Sequence, residues 1–214
     1  MTIQDIETPA IVIDLDIMER NLSRVADYAR EHGLRLRPHT KTHKIPALGR
    51  RQIELGAVGL TVAKVGEAEV MLESGTPDLL VAYPTIGRSK LERLTAAARR
   101  ARVTVALDSL FAARQLSDAA RQAQVSIGVL AEFDAGMGRV GVAPGEELVQ
   151  LMTGIERLPW QSLEGIAFYP GHIRDAAEEG EQQVRKLSAL LEKTLSGLRR
   201  SGFQPGIVSG GSTP

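Results

Sequence analysis

Short apolar runs rich in β-branched residues alternate along this chain with longer amphipathic stretches. The runs predict strands at residues 10–15, 34–37, 58–62, 78–82, 103–107, 125–133, 163–168 and 206–208. The stretches between them repeat apolar residues at helical spacing and predict helices at 16–32, 45–55, 66–73, 89–101, 109–122, 144–155 and 174–200. In the first of these helices, Ile17, Leu22, Val25 and Tyr28 lie along one side.

Strands that alternate with helices at this spacing indicate a parallel sheet with right-handed crossovers. Eight strands fit an α/β fold of the (β/α)8 TIM-barrel type, formed by the whole chain as one domain. A doubly wound open sheet is the alternative, although no G-x-G-x-x-G follows the first strand. Asp16, Ser89 and Asp108 are the predicted helix N-caps, and Gly33 and Gly202 are predicted to end the first and last helices.

The equal numbers of acidic and basic side chains bear on which kinds of molecule the chain could bind. The chain has 26 basic and 26 acidic side chains and a formal net charge of zero, which disfavours nucleic acid and membrane surfaces as partners. Cysteine is absent, so neither disulfides nor thiolate metal sites are predicted.

The N-terminus lacks the apolar core of a signal peptide, and no run of about 18 apolar residues is present. We therefore expect a cytoplasmic protein.

Functional groups of a barrel lie in the loops that follow the carboxyl ends of its strands. Four such loops hold most of the histidines and the densest glycines, namely 37–44, 134–141, 169–172 and 209–214. The last has the sequence Ser-Gly-Gly-Ser-Thr-Pro, whose backbone N–H groups and hydroxyls suit a phosphate. A flexible polar tail is the other interpretation of that loop.

Lys41 stands among other cationic or basic side chains, including Arg37 and Lys44. Neighbouring positive charge favours the neutral amine, the form that attacks carbonyl groups. A basic surface loop is the commoner origin of such a pattern. His39 and His43 have a spacing used by metal ligands, but no third ligand is visible nearby.

Three further side chains follow the later strands. Arg139 lies in a glycine-rich turn, where it could pair with a carboxylate or a helix end. Tyr169 and His172 follow the seventh run, where packed and hydrogen-bonded core groups are the usual finding. Without more information, a structural role is the simpler interpretation of all three.

Taken together, these segments resemble the D-threonine aldolase and D-serine dehydratase family. The motif at 37–44, Arg-Pro-His-Thr-Lys-Thr-His-Lys, resembles the lysine motif of that family. The resemblance extends in family order over the remaining motifs, at 8–14, 65–69, 138–142, 169–172 and 209–214. These are fold-type III pyridoxal-phosphate enzymes with an alanine-racemase-like N-terminal barrel.

The resemblance implies a role for each site residue. Lys41 would bind pyridoxal 5′-phosphate as a Schiff base and act as a base, and Tyr169 and His172 would complete the catalytic set. Arg139 would face the pyridine nitrogen, and Tyr169 would lie near the Schiff base or the phosphate. The residues implied to bind the phosphate are Ser209, Gly210, Gly211, Ser212 and Thr213.

Members of this family continue into a second, mostly β domain. That domain carries the ligands of a divalent metal and completes the site of a partner in a homodimer, and it is missing from this chain. The resemblance implies a lyase acting on small D-β-hydroxy amino acids, as a D-threonine aldolase does. The alternatives are a dehydratase of D-serine or D-3-hydroxyaspartate, an amino-acid racemase, and a non-catalytic pyridoxal-phosphate homeostasis protein.

Overall fold

Six parallel strands form the centre of the fold in a computed structural model, which describes residues 2–174 and 178–212. They are β1 (Leu60–Val62), β2 (Asp78–Val81), β3 (Arg102–Leu107), β4 (Ile127–Glu132), β5 (Gln161–Phe168) and β6 (Ile207–Gly210). Each strand pairs in parallel with the next one along the chain, so the order in the sheet is the order in the sequence. This sequential parallel order confirms the predicted class of fold.

Helices connect the strands. They are α1 (Leu15–Glu31), α2 (Pro46–Glu54), α3 (Val65–Met71), α4 (Arg88–Ala98), α5 (Leu110–Ala123), α6 (Glu146–Glu156) and α7 (Glu178–Arg200). All seven predicted helices are present, with boundaries displaced by a few residues. No helix in the described ranges combines the length and hydrophobicity needed to cross a bilayer.

The predicted N-caps are wrong by one or two residues. Asp14, not Asp16, caps α1 by accepting a hydrogen bond from the Ile17 N–H at 2.9 Å. Gly87, not Ser89, is the N-cap residue of α4. The N-cap of α5 is Ser109, the residue after Asp108, and its hydroxyl accepts a hydrogen bond from the Ala112 N–H. In each case the residue at the true boundary has the non-helical backbone angles that a cap requires. The two predicted glycine stops do follow their helices with positive φ.

Two of the eight predicted strands are not strands in the described chain. The run at 34–37 leads into a segment beside β1, where the carbonyls of Leu36 and Pro38 accept from Val58 and Thr61 N–H groups at 2.9 and 2.8 Å. These bonds do not continue into a ladder. The run at 10–15 is irregular because no described strand pairs with it. It is also exposed to solvent, and the Ile11 side chain is 96% exposed. The barrel-type sheet is therefore a half-barrel of six strands.

The sheet has two different faces. Its outer face packs against the helices and forms the main core, in which Leu79, Val105 and Val129 are almost completely buried. Its inner face carries a small apolar cluster of Leu80, Ala106, Leu130 and Ala167. On this inner face, side chains at the amino ends of the strands lie on one side of the cluster, and side chains at the carboxyl ends lie on the other.

Charged pairs occupy the inner face toward the amino ends of the strands. Arg37 pairs with Asp78 at 2.9 Å, and Arg102 pairs with Glu164 at 2.6 Å. The second pair joins β3 to β5 across β4, where Gly128 has no side chain to separate them. This contact across an intervening strand is possible because the sheet is curved.

Candidate active site

Lys41 is displayed on a short, well-anchored turn beside β1. A 3-10 turn at Thr40–Thr42 begins at His39, whose Nδ1 accepts from the Lys41 N–H at 3.2 Å. Thr40 is fully buried and its hydroxyl donates to the Thr61 carbonyl at 3.3 Å. The turn is thus fixed to β1, while the Lys41 side chain is exposed.

The two histidines of this loop have local structural contacts. The Nδ1 of His43 accepts from the Ile45 N–H at 3.0 Å, much as His39 accepts from Lys41. Burial lowers the pKa of both imidazoles, which favours the neutral form that can accept these hydrogen bonds. Within residues 2–174 and 178–212, no group of three or more metal-ligating side chains converges on one point.

The loop after β4 folds back on the strand and presents Arg139. Asp134 organises it, because one carboxylate oxygen accepts from the N–H groups of Gly136, Met137 and Gly138 at 2.9 to 3.0 Å. Burial acts to raise the pKa of Asp134, but these hydrogen bonds outweigh it and hold the pKa below its usual value. Gly141 has a φ of 98°, and a Cβ there would lie 2.3 Å from the carbonyl carbon of Phe133.

Tyr169, directly after β5, is where the predicted site residues meet. The Arg139 guanidinium carbon lies 4.1 Å from the centre of the Tyr169 ring, and Lys41 Nζ lies 5.8 Å from it. In a flat sheet, β1 and β5 would be about 19 Å apart, at about 4.8 Å per strand. The curvature of the half-barrel therefore brings together residues that the sequence separates by more than a hundred positions.

The loop containing Tyr169 also contacts the other two predicted loops. A Cβ at Gly136 would lie 3.5 Å from the His172 imidazole, so His172 lies beside the loop after β4. The Ser212 hydroxyl lies 3.5 Å from the Pro170 carbonyl, which places the tail after β6 on the same side. All four loops predicted from the sequence thus lie at one end of the sheet.

The tail after β6 is described as far as Ser212. Ser209 and Gly210 belong to β6 and pair with Ala167 and Phe168. Gly210 packs flat on the Phe168 ring, since a Cβ there would lie 2.1 Å from a ring carbon. Gly211 has a φ of 149° and open space where a Cβ would stand. Thr213, the last of the predicted phosphate ligands, lies outside the described residues.

Two carboxyl groups of this site were missed by the sequence analysis. Glu132 ends β4 on the inner face, two residues after Leu130, and is only 4% exposed. Asp108, predicted as a helix cap, instead accepts from the Gly141 N–H at 3.1 Å and so ties the Arg139 loop to the end of β3. Glu132 could have been predicted from the sequence, because it is a charged residue at an inward-facing position of an otherwise apolar strand.

The ionisation of Glu132 is expected to make the stability of the protein depend on pH. Burial raises the pKa of Glu132 to about 7, and the nearby Asp108 carboxylate adds to this effect while Arg139 opposes it. A carboxyl with a raised folded-state pKa costs stability as pH rises from its unfolded-state pKa to about 7. Glu132→Gln should therefore raise the free energy of unfolding by at most about 3 kcal/mol at about pH 8, and leave it unchanged below about pH 4.5.

Urea unfolding at the two pH values measures this difference. Glu156→Gln, at the exposed end of α6, is the matched control and should change stability by less than about 0.5 kcal/mol at either pH. An equal effect of Glu132→Gln at both pH values would contradict the expectation.

Comparisons with known proteins show which enzymes the chain resembles. The chain is 34% identical to 3-hydroxy-D-aspartate aldolase of Paracoccus denitrificans, with 98% of this chain and 55% of that protein aligned. It is 31% identical to D-threo-3-hydroxyaspartate dehydratase of Delftia sp., over 100% of this chain and 57% of the relative. The crystal structure of D-threonine aldolase from Filomicrobium marinum superposes with a TM-score of 0.93 at 38% identity, covering 97% of this chain and 57% of that one.

The chain thus spans little more than half the length of these relatives. The model of the family described as alanine racemase, N-terminal domain, matches residues 13–214. That match includes every predicted site residue, and the family implies pyridoxal phosphate as its cofactor. The chain belongs to the alanine racemase N-terminal domain family.

Proposed function

We propose that this chain is the pyridoxal-phosphate-binding part of a lyase that cleaves D-β-hydroxy amino acids to glycine and an aldehyde. The observation that carries the proposal is the convergence of Lys41 and Arg139 on the Tyr169 ring. An amine, a guanidinium and a phenol at one end of a half-barrel are the groups that the family resemblance implies for this chemistry. Similarity to aldolases acting on D-hydroxy amino acids supports the same substrate class.

The residues present fit the cofactor. Lys41 offers an exposed amine on a fixed turn, which suits a bond to the cofactor aldehyde. The open space beside Gly211 and the nearby hydroxyls of Ser209 and Ser212 suit a phosphate. One buried carboxyl oxygen of Glu132 has no hydrogen-bond partner among the described residues. This end of the sheet can therefore form a further hydrogen bond to a bound group.

Each site residue has a chemical task in the proposed reaction. Lys41 would hold the cofactor and return a proton to the substrate α-carbon after cleavage. Arg139 would face the ring nitrogen as a permanent cation, and Tyr169 would keep the two cations in place through its ring. His172, exposed beside the loop after β4, would take the proton of the β-hydroxyl as the carbon–carbon bond breaks.

The bound cofactor supplies the electron-withdrawing group that stabilises negative charge at the substrate α-carbon. The protein selects which bond to that carbon breaks by directing its bases. A base on the β-hydroxyl favours cleavage, whereas a base on the α-proton favours loss of hydroxide. A divalent metal remains a prediction from the resemblance, and we assign it no ligands within 2–174 and 178–212. The homodimer and the cytoplasmic location also stay predictions.

A dehydratase is the second candidate, because a relative with that activity matches the whole of this chain at 31% identity. It would release a keto acid and ammonia from the same class of substrate. The distinction depends on the products and not on the residues that hold the cofactor.

Product analysis tests the proposal. The chain is incubated with pyridoxal phosphate and D-threonine or D-3-hydroxyaspartate, with and without added Mn²⁺, and the products are identified by chromatography. Glycine and an aldehyde are expected from the D-isomer and not from the L-isomer. A keto acid with ammonia supports the dehydratase instead. Scrambled stereochemistry of D-alanine, incubated in the same way, would overturn the lyase in favour of a racemase. Bound cofactor without any product, when the same incubation is repeated with the full-length product of the gene, would overturn it in favour of a homeostasis protein.

A further inference from the structure

Gly171 leaves room for the ring of Tyr169. A Cβ at position 171 would lie 2.2 Å from Cε1 of Tyr169, 2.5 Å from Cζ and 2.7 Å from the hydroxyl oxygen. These distances are well inside van der Waals contact, so the ring in this position is compatible only with glycine at position 171. The backbone does not require glycine there, because the φ of Gly171 lies outside the left-handed region. The requirement for glycine is therefore steric and concerns the hydroxyl end of the Tyr169 ring.

The backbone around Gly171 is held in place. The Pro170 carbonyl accepts from the Ile173 N–H at 3.0 Å and closes a turn, and the Gly171 carbonyl accepts from Arg174 Nε at 3.2 Å. Pro170, Gly171 and Ile173 are also buried. The Tyr169 side chain is only half-buried and rotates about two side-chain torsions, so it moves more easily than the turn. A side chain at position 171 would therefore displace the ring and leave the turn in place.

The position of the ring matters because two cations of the candidate site meet it. The guanidinium carbon of Arg139 lies 4.1 Å from the ring centre of Tyr169, and Lys41 Nζ lies 5.8 Å from it. Arg139 is exposed and belongs to none of the ion pairs among the described residues, so the ring is the contact that orients its guanidinium. The attraction between a cation and an aromatic face is lost when the ring moves away.

We propose that Gly171 is a positioning residue for Tyr169: because position 171 carries no side chain, the phenol ring can lie against the turn and meet both cations. The part of this inference that concerns the cofactor rests on the proposed function. A side chain at position 171 would move the ring but change the stability of the fold little, because only the outer end of one half-buried side chain is displaced. Loss of the cation contacts without loss of the fold is therefore the expected result.

The first test uses the chain without cofactor and follows the Arg139 Nε–H signal by NMR, identified by its loss in Arg139→Lys. The ring current of Tyr169 shifts protons over its face upfield. Gly171→Ala should remove that shift, as Tyr169→Ala does, while the urea midpoint stays close to that of the unchanged chain. Gly197→Ala, in α7, where a Cβ would meet only the Arg200 guanidinium at 3.9 Å, should leave the signal in place. An unmoved Arg139 signal in Gly171→Ala would overturn the proposal, and so would a Gly171→Ala chain that no longer folds.

The second test measures the dissociation constant of pyridoxal phosphate in a double-mutant cycle. Gly171→Ala and Tyr169→Ala should each weaken binding by about fivefold, the size expected for loss of contacts between a ring and exposed cations. The combined variant should be no weaker than Tyr169→Ala alone, because the ring that the methyl group displaces is then absent. In a Tyr169→Phe background the effect of Gly171→Ala should persist, because phenylalanine has the same ring.

A merely structural role for Gly171 predicts a different result in this cycle. The effect of Gly171→Ala would then be the same whatever residue stands at position 169, and the effects of Gly171→Ala and Tyr169→Ala would multiply. That result would show that Gly171 does not act through Tyr169. If the unchanged chain takes up no cofactor, the proposed function fails, while the NMR comparison still decides whether Gly171 positions the ring.

Discussion

Replacing Lys41 with Ala is expected to abolish the covalent attachment of pyridoxal phosphate to this chain. Lys41 carries the amine that approaches the Tyr169 ring, at 5.8 Å, and its turn is anchored to β1 through the buried Thr40. Without the amine, no carbon–nitrogen double bond to the cofactor aldehyde forms there, and borohydride has no bond to reduce. The loss should be complete, as judged by absorbance above the protein band and by the mass of the reduced protein.

Two further variants separate covalent capture from simple charge. Lys41→Arg keeps the cation but supplies no amine able to condense, so it should also lose the reducible bond. Lys44→Ala removes a lysine from the same loop, one whose Nζ lies 3.7 Å from Glu67, and should retain the bond. Cofactor still trapped by borohydride in Lys41→Ala would show that another lysine holds it, and peptide mapping would identify that residue.

Replacing Phe133 with Ala is expected to cost about 3–5 kcal/mol of stability. Phe133 is fully buried at the junction of β4 and the Arg139 loop, and its ring lies 5.6 Å from that of Phe168 at the end of β5. Truncation removes apolar contacts and leaves a cavity beneath both segments of the site. A loss of this size is a large fraction of the stability of a typical domain.

The same substitution on the surface is the control. Phe111 lies on α5 and is 64% exposed, so Phe111→Ala should change the free energy of unfolding by less than about 0.5 kcal/mol. Phe133→Leu, which keeps most of the volume, should cost only about 1 kcal/mol and remains measurable if Phe133→Ala does not fold. Urea denaturation gives all three values. Equal losses at positions 133 and 111 would show that Phe133 is not a core residue.

Local sequence patterns predicted much of the fold. Alternating runs identified all six strands and seven helices because hydrophobic periodicity directly reflects which side of an element is buried. The run at 10–15 looked equally strand-like, yet it is exposed and irregular. A strand exists only when another strand satisfies its backbone groups, and that condition is not local.

The four loops of the site were predicted by the rule that strands of a parallel sheet end at one edge. Lys41, Arg139, Tyr169 and His172 all lie at that edge, as expected. The sequence did not distinguish Asp108 as a helix cap from Asp108 as an anchor for the Arg139 loop. Which of two neighbouring residues is the N-cap depends on their backbone angles, and these are set by the path of the chain from the strand into the helix.

The sequence by itself determined most of the elements, the parallel class of sheet and the loops that carry the chemistry, because these follow from periodicity and chain direction. The tertiary structure alone decided how these groups meet. Curvature brings Lys41, next to β1, toward Tyr169, after β5, and burial beside Asp108 leaves Glu132 with a carboxyl that ionises near neutral pH. Distances and burial depend on packing between distant segments, and no local pattern in the chain encodes them.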